Sequence, residues 1–60
     1  MTINEKIKAD RIKKGYTQLE YAELLGVSSR ILKYWESGRE IPHLTEKGIE
    51  FYMRKIKKKR

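Results

Sequence analysis

Residues 17–38, TQLEYAELLGVSSRILKYWESG, decide the fold of this 60-residue chain. They contain two short helical patterns, and each pattern begins at a good N-cap residue, Thr17 for the first and Ser28 for the second. Glu20 follows Thr17 at capping-box spacing, and Gly26 marks the end of the first pattern. A glycine-containing turn of this length between two short helices is typical of a helix-turn-helix.

A further helix is predicted before this stretch. Thr2 and Glu5 have the spacing of a second capping box, and Gly15 is suited to end the helix that begins there. Lys13 and Lys14 precede that glycine, where positive charge matches the helix dipole. We expect three isoleucines of this helix to face the core: Ile3, Ile7 and Ile12.

A fourth helix is predicted after a loop over residues 39–43 that contains Pro42. Thr45 is its expected N-cap, and its apolar residues recur at helical spacing. No segment alternates polar and apolar residues with period two, so no strand is predicted. The sequence therefore predicts an all-α fold, a compact four-helix domain. The expected apolar stripe of the last helix consists of Ile49, Tyr52, Met53 and Ile56.

Composition narrows the classes of function. The chain has no cysteine and a single histidine, so we expect no disulfide, no metal site, no cofactor and no enzyme activity. Hydrophobic and charged residues each make up 38% of the chain, and no apolar run approaches the roughly 20 residues that span a bilayer. The N-terminus also lacks the apolar segment of a signal peptide. A cytoplasmic location is the expectation.

Positive charge is concentrated at the C-terminus. The net charge is +7, and six of the 15 lysines and arginines lie in residues 54–60, which contain no acidic residue. We therefore divide the chain into a domain of residues 1–53 and a basic tail of residues 54–60. Such a tail attracts polyanions, or it simply keeps a small protein soluble. Because its charges repel one another and nothing after Ile56 is apolar, we expect the tail to fray.

The central stretch resembles the helix-turn-helix of Cro and the lambda-type phage repressors, and the resemblance extends over about residues 3–42. It implies a lambda-repressor-like DNA-binding domain with its helix-turn-helix at about residues 18–37. The chain departs from the family pattern at Asp10, Leu19 and Leu24, and it has room for four helices where the family usually has five. The positions that match the family pattern are Thr17, Gln18, Ala22, Gly26, Val27, Leu32, Glu36, Gly38 and Pro42.

The resemblance also implies which residues contact DNA. The helix that begins near Ser29 would enter the major groove, where Arg30 can donate two hydrogen bonds to one guanine. Phosphate contact or plain solvent exposure is the alternative for Arg30. Ile31 is expected either to touch a thymine methyl group or to belong to the partly buried core. Gln18 and the backbone amides beside it are expected at a phosphate, while Thr17 is mainly a cap. The predicted DNA-binding residues are Thr17, Gln18, Ser28, Ser29, Arg30, Lys33, Tyr34, Ser37 and Arg39.

Two charged residues are expected to pair with each other. The family's arginine late in its first helix matches Arg11, and its glutamate at the end of the third helix matches Glu36. The resemblance implies a partly buried ion pair between them, with a structural role.

The function implied is a sequence-specific, double-stranded DNA-binding transcriptional regulator, most simply a repressor at a palindromic operator. A homodimer would contact two half-sites, and its two subunits would meet near Ile41, Pro42 and Phe51. No membrane partner and no small-molecule substrate are expected. The alternative is a small protein-interaction module, such as an antitoxin or an accessory DNA-binding subunit. The apolar residues Leu19 and Leu24 favour that alternative.

Overall fold

Four helices surround one apolar core in the computed structural model, which describes residues 2–59 apart from the side chain at position 44. No strand occurs in residues 2–59, so the predicted all-α, four-helix fold is confirmed. Within the same residues, no helix combines the length and the apolar character that crossing a membrane requires. The helices are α1 (Ile3–Lys14), α2 (Gln18–Leu25), α3 (Ser29–Glu36) and α4 (His43–Lys55).

Local capping sets the ends of the first two helices. The Thr17 hydroxyl accepts the N–H of Glu20 at 3.1 Å, and the Glu20 carboxylate accepts the N–H of Thr17 at 3.0 Å. Thr2 and Glu5 make the same reciprocal pair at the start of α1. Gly26 ends α2 with φ at 80°, in the left-handed region that favours glycine. Both capping boxes predicted from the sequence are therefore confirmed.

The core lies where α1, α2 and α3 meet, and α4 closes one side of it. Ile7, Tyr21 and Leu32 are the largest fully buried side chains, and burying a side chain of this size contributes about 1.5–3 kcal/mol. Ala22 is also fully buried, and its small side chain lets α2 and α3 approach closely. The remaining buried hydrophobic residues are Ile3, Leu25, Ile41, Ile49 and Ile56.

Asp10, which stands where the resemblance leads one to expect an aliphatic residue, supplies a partner for a buried hydroxyl. The Tyr21 hydroxyl donates a hydrogen bond to the Asp10 carboxylate, and Lys14 Nζ lies 2.7 Å from that carboxylate. Burial, together with the neighbouring carboxylate, raises the pKa of Tyr21 above its ordinary value. Tyr21 therefore supplies a hydrogen-bond donor to the carboxylate that departs from the family pattern.

The expectation that Ile12 faces the core is wrong, because its side chain is 59% exposed. Ile3 and Ile7 are buried on one face of α1, and the next residue on that face is Arg11. Each residue turns the helix by about 100°, so Ile12 points away from this face. Arg11 occupies the inward position with its charge paired.

Two expectations for α4 are also wrong. The helix begins at His43, and its N-cap is Pro42, three residues before the predicted N-cap, Thr45. Proline supplies a suitable fixed φ there, at −55°. Tyr52 is 53% exposed instead of buried, and its ring packs edge-on against Phe51 at a centroid distance of 5.9 Å. The core-facing stripe is therefore narrower than the sequence pattern suggests.

The chain after α4 folds back onto the junction between α1 and α2. Ile56 is buried and turns the chain into an extended conformation, with φ at −77° and ψ at 120°. We call residues 57–59 the strap. The expectation that the tail frays after Ile56 is wrong for the strap, while Arg60 lies outside the described residues.

Hydrogen bonds to the end of α1, to the loop that follows it and to α2 hold the strap in place. The Tyr16 hydroxyl donates to the Lys57 carbonyl at 2.6 Å, and the Lys59 N–H donates to the Lys14 carbonyl at 2.8 Å. Lys59 Nζ also donates to the Glu20 carboxylate. This bond, aided by the bond from the Thr17 N–H, lowers the pKa of Glu20 to about 2.

Candidate nucleic-acid interface

The turn between α2 and α3 fixes how α3 is presented. Gly26 redirects the chain, and the Val27 N–H donates to the Ala22 carbonyl at 3.0 Å. Leu32 then enters the core and Trp35 packs against it, so the opposite face of α3 is left in solvent. α3 is therefore a short helix that packs against the core on one face and is exposed to solvent on the opposite face.

The exposed face of α3 forms an open depression of about 500 Å³. Arg30 and Lys33 supply its positive charge, and none of the described residues that line it is acidic. Within residues 2–59, neither of these two cations forms an ion pair. A positive, unpaired surface of this kind attracts an anion. The predicted DNA-binding residues brought together here are Ser29, Arg30, Lys33, Tyr34 and Ser37.

Arg39 joins this face from the loop after α3. Its guanidinium carbon lies 5.1 Å from the centroid of the Tyr34 ring, a cation–π arrangement. The Ser37 hydroxyl donates to the Tyr34 carbonyl at 2.6 Å, so it is engaged in closing the last turn of the helix. The C-terminal end of α3 therefore carries an arginine stacked on a tyrosine.

Two of the predicted DNA-binding residues act as helix caps. The Ser28 hydroxyl accepts the Ile31 N–H at 3.2 Å, and the Thr17 hydroxyl accepts the Glu20 N–H at 3.1 Å. A hydroxyl that accepts at a cap still has its own proton to donate. Capping therefore leaves each hydroxyl able to donate to a phosphate oxygen.

Arg11 and Glu36 make two hydrogen bonds between α1 and the end of α3. Arg11 Nε lies 2.8 Å from Glu36 Oε2, and Nη2 lies 3.1 Å from Oε1. The side chains are only 14% and 4% exposed. Arg11 Nη1 also donates to the Tyr16 carbonyl at 3.0 Å, which places the loop before α2.

Gln18 is tied into the same network. Its side-chain amide donates to Glu36 Oε1 at 3.2 Å, so part of the group predicted at a phosphate is used within the protein. The first-turn N–H groups of α2 at Gln18 and Leu19 have no carbonyl partner within the helix. The Gln18 side chain thus connects the start of α2 to the end of α3.

Asn4 was not singled out from the sequence, although it contacts this region. Its Nδ2 donates to the Trp35 carbonyl and to the Arg39 carbonyl, each at 2.7 Å. These partners lie 31 and 35 residues away, so spacing along the chain carries no signal for the contact. Only the packing of α1 against α3 reveals it.

The residues expected at the dimer interface differ in their exposure. Ile41 is buried in the core, so its side chain is not available to a partner copy, whereas Pro42 beside it is exposed. Phe51 is exposed, as is the neighbouring Tyr52. On α2, Leu19 and Leu24 are 57% and 48% exposed.

A family model described as helix-turn-helix matches residues 7–46, which is two thirds of the chain. No curated protein and no solved structure matches this chain. The matched segment contains Arg11, α2, the turn at Gly26, the whole of α3 and Glu36, so the resemblance found in the sequence is confirmed. This chain belongs to the helix-turn-helix family of Cro and the lambda-type phage repressors, a family of DNA-binding regulators.

Proposed function

We propose that this protein is a sequence-specific transcriptional regulator that represses by occupying a palindromic operator as a homodimer. The observation that carries the proposal is the exposed face of α3, where Arg30 and Lys33 are unpaired among residues 2–59. The proposed activity is binding, not catalysis, and the proposed location is the cytoplasm, on DNA.

Base recognition is assigned to the exposed face of α3. Arg30 lies at the second position of the helix and is exposed. Its two parallel N–H donors match O6 and N7 of a guanine, a contact that discriminates by about 1–3 kcal/mol against other bases. Ser29 and Tyr34 flank it, and the exposed Ile31 offers an apolar contact for a thymine methyl group.

Phosphate contacts are assigned to two groups of residues around this helix. The first comprises the free N–H groups at the start of α2, with Gln18 and the capping hydroxyls of Thr17 and Ser28. The second comprises Ser37 and Arg39, just after α3. These contacts would set the register of α3 on the duplex without carrying sequence information themselves.

A homodimer follows from the small size of the reading surface. One α3 of eight residues contacts few base pairs, and a two-fold pair of copies doubles that number. Phe51 and Tyr52 are exposed on α4 and stack edge-on, so they supply an apolar surface for the partner copy. A dimer on its operator blocks access to the promoter that contains it.

The test is a hydroxyl-radical footprint of the purified protein on a site selected from random DNA. We expect two protected patches on one face of the duplex, about 34 Å apart, one for each half-site. A single patch would contradict the dimer, and uniform protection of every sequence would contradict specific recognition.

A protein-interaction module is the second candidate, and the exposure of Leu19 and Leu24 on α2 favours it. An accessory subunit would select DNA poorly on its own. If the same selection returned no palindromic consensus with the purified chain, this second candidate would replace the first.

A further inference from the structure

The start of α1 is bonded to both sides of the turn that follows α3. Asn4, the second residue of α1, donates from Nδ2 to the carbonyls of Trp35 and Arg39, each at 2.7 Å. Trp35 lies inside the last turn of α3, and Arg39 lies beyond it, after Gly38. A single side-chain nitrogen therefore holds the backbone before and after this turn.

Hydrogen bonds within this turn hold only the part that precedes Arg39. Gly38 has a φ of 95°, and its N–H donates to the Trp35 carbonyl at 3.1 Å, which closes the turn on the α3 side. Beyond Gly38, Arg39 has no regular secondary structure to hold its backbone. The bond from Asn4 to its carbonyl supplies that constraint.

The Arg39 side chain cannot be held by its ring contact alone. An exposed cation–π contact is weaker than the rotamer entropy that a confined arginine side chain loses. A fixed backbone position reduces the freedom of Arg39 further and so favours its stacking on Tyr34, with the guanidinium carbon 5.1 Å from the ring centroid. Asn4 is the side chain that fixes this backbone position.

We propose that Asn4 is a positioning residue for DNA binding, which fixes the Arg39 backbone so that the guanidinium stays over Tyr34 and meets a phosphate. The inference rests on the phosphate contact proposed above for Arg39. Asparagine suits this role because one nitrogen carries two N–H donors. Aspartate would offer no donor to the two carbonyls, and serine would offer one.

The experiment is a double-mutant cycle with Asn4→Ala and Arg39→Ala, measured as affinity for the selected DNA site at several salt concentrations. Each single variant should bind about tenfold more weakly, the loss of one charge-assisted contact. Each should also flatten the slope of log affinity against log salt by about 0.9. The double variant should bind no more weakly than Arg39→Ala alone.

Thr2→Ala is the matched control. It removes the cap of the same helix and leaves the two Asn4 bonds in place. It should lower the melting temperature without changing the salt slope, which separates loss of stability from loss of positioning. Fluorescence of Trp35, the single tryptophan, checks that each variant is folded. If Asn4→Ala does not fold, Asn4→Leu, which has a branched side chain of similar shape and no donor, takes its place in the cycle.

The outcomes separate the inference from the proposed function. If the Asn4 substitution weakens binding by the same factor with and without Arg39, or leaves the salt slope unchanged, Asn4 has only a structural role and the inference is overturned. If Arg39→Ala binds DNA like the unmodified protein, the phosphate contact of Arg39 is overturned together with the inference. Recognition by Arg30 is tested independently in both cases.

Discussion

The face of α3 and the strap are both rich in positive charge, yet they use it differently. Arg30 and Lys33 have no ion-pair partner in residues 2–59 and line an open depression. In the strap, Lys59 donates to Glu20, whereas Lys57 and Lys58 form no ion pair in residues 2–59. The strap backbone is bonded to the loop before α2. Basic composition alone therefore does not identify a polyanion site, because pairing within the protein decides which charges are available.

The face of α3 also depends on a buried charge pair behind it. Glu36→Gln or Arg11→Met should lower the free energy of unfolding by up to about 3–5 kcal/mol, because each leaves a charge or its hydrogen-bonding groups without a partner. Thermal unfolding is the measurement, and in a domain of this size each 1 kcal/mol corresponds to roughly 4–8 °C. The double variant should be no less stable than the worse single variant. Simple additivity of the two losses would contradict the coupling.

Removing a free cation from α3 tests recognition directly. Arg30→Ala should cost roughly 1–3 kcal/mol of binding and relax the preference at one base pair in each half-site. Gln18→Ala is the comparison variant and should weaken all sequences alike, since phosphates carry no sequence information. Selection of binding sites with each variant provides the measurement. An unchanged consensus at full affinity for Arg30→Ala would remove this residue from base recognition.

Truncation after Ile56 tests the strap as a whole. Loss of the Tyr16–Lys57 bond and the Lys59–Lys14 bond should destabilise the domain by roughly 1 kcal/mol, since hydrogen bonds of this kind contribute about 0.5–1.5 kcal/mol each and these are exposed or at the edge. Specific and random DNA should lose affinity by similar factors, because phosphate contacts by the tail carry no sequence information.

Melting temperature and the salt dependence of affinity measure these two effects separately. If the truncated and full-length proteins give parallel lines of log affinity against log salt, the strap makes no phosphate contact. An unchanged melting temperature would contradict the bonds that hold the strap to the domain.

The smallest effect concerns Glu20, whose carboxylate receives the Lys59 bond. Because its pKa is lowered from 4.5 to about 2 in the folded protein, its contribution to stability is present above pH 4.5 and disappears as the pH falls toward 2. Lys59→Met should raise the pKa of Glu20 and lower stability near neutral pH, with the difference vanishing in acid.

NMR titration of the Glu20 carboxyl measures this change, and Lys58→Met is the matched control in the same strap. The control should leave the pKa of Glu20 low. A Glu20 carboxyl that titrates near 4.5 in the unmodified protein would contradict the docking of Lys59.

The features predicted correctly from the sequence are those formed by neighbours along the chain. Thr17, Glu20 and Gly26 set the limits of α2 through contacts that span three or four residues, so their spacing is visible in the sequence. Ile49 and Ile56 were assigned to a buried face by helical periodicity, and both are buried.

Helix packing accounts for the contacts between distant segments that neither spacing nor the family resemblance indicated. Asn4 reaches the end of α3 only because α1 packs across it, and Tyr16 meets Lys57 across 41 residues of chain. Ile12 lost the inward position to Arg11 because the direction of each face of α1 depends on the helices beside it. Capping and periodicity are local and therefore determined by the sequence itself, whereas the choice of partners for free carbonyls and charges is made when the helices pack.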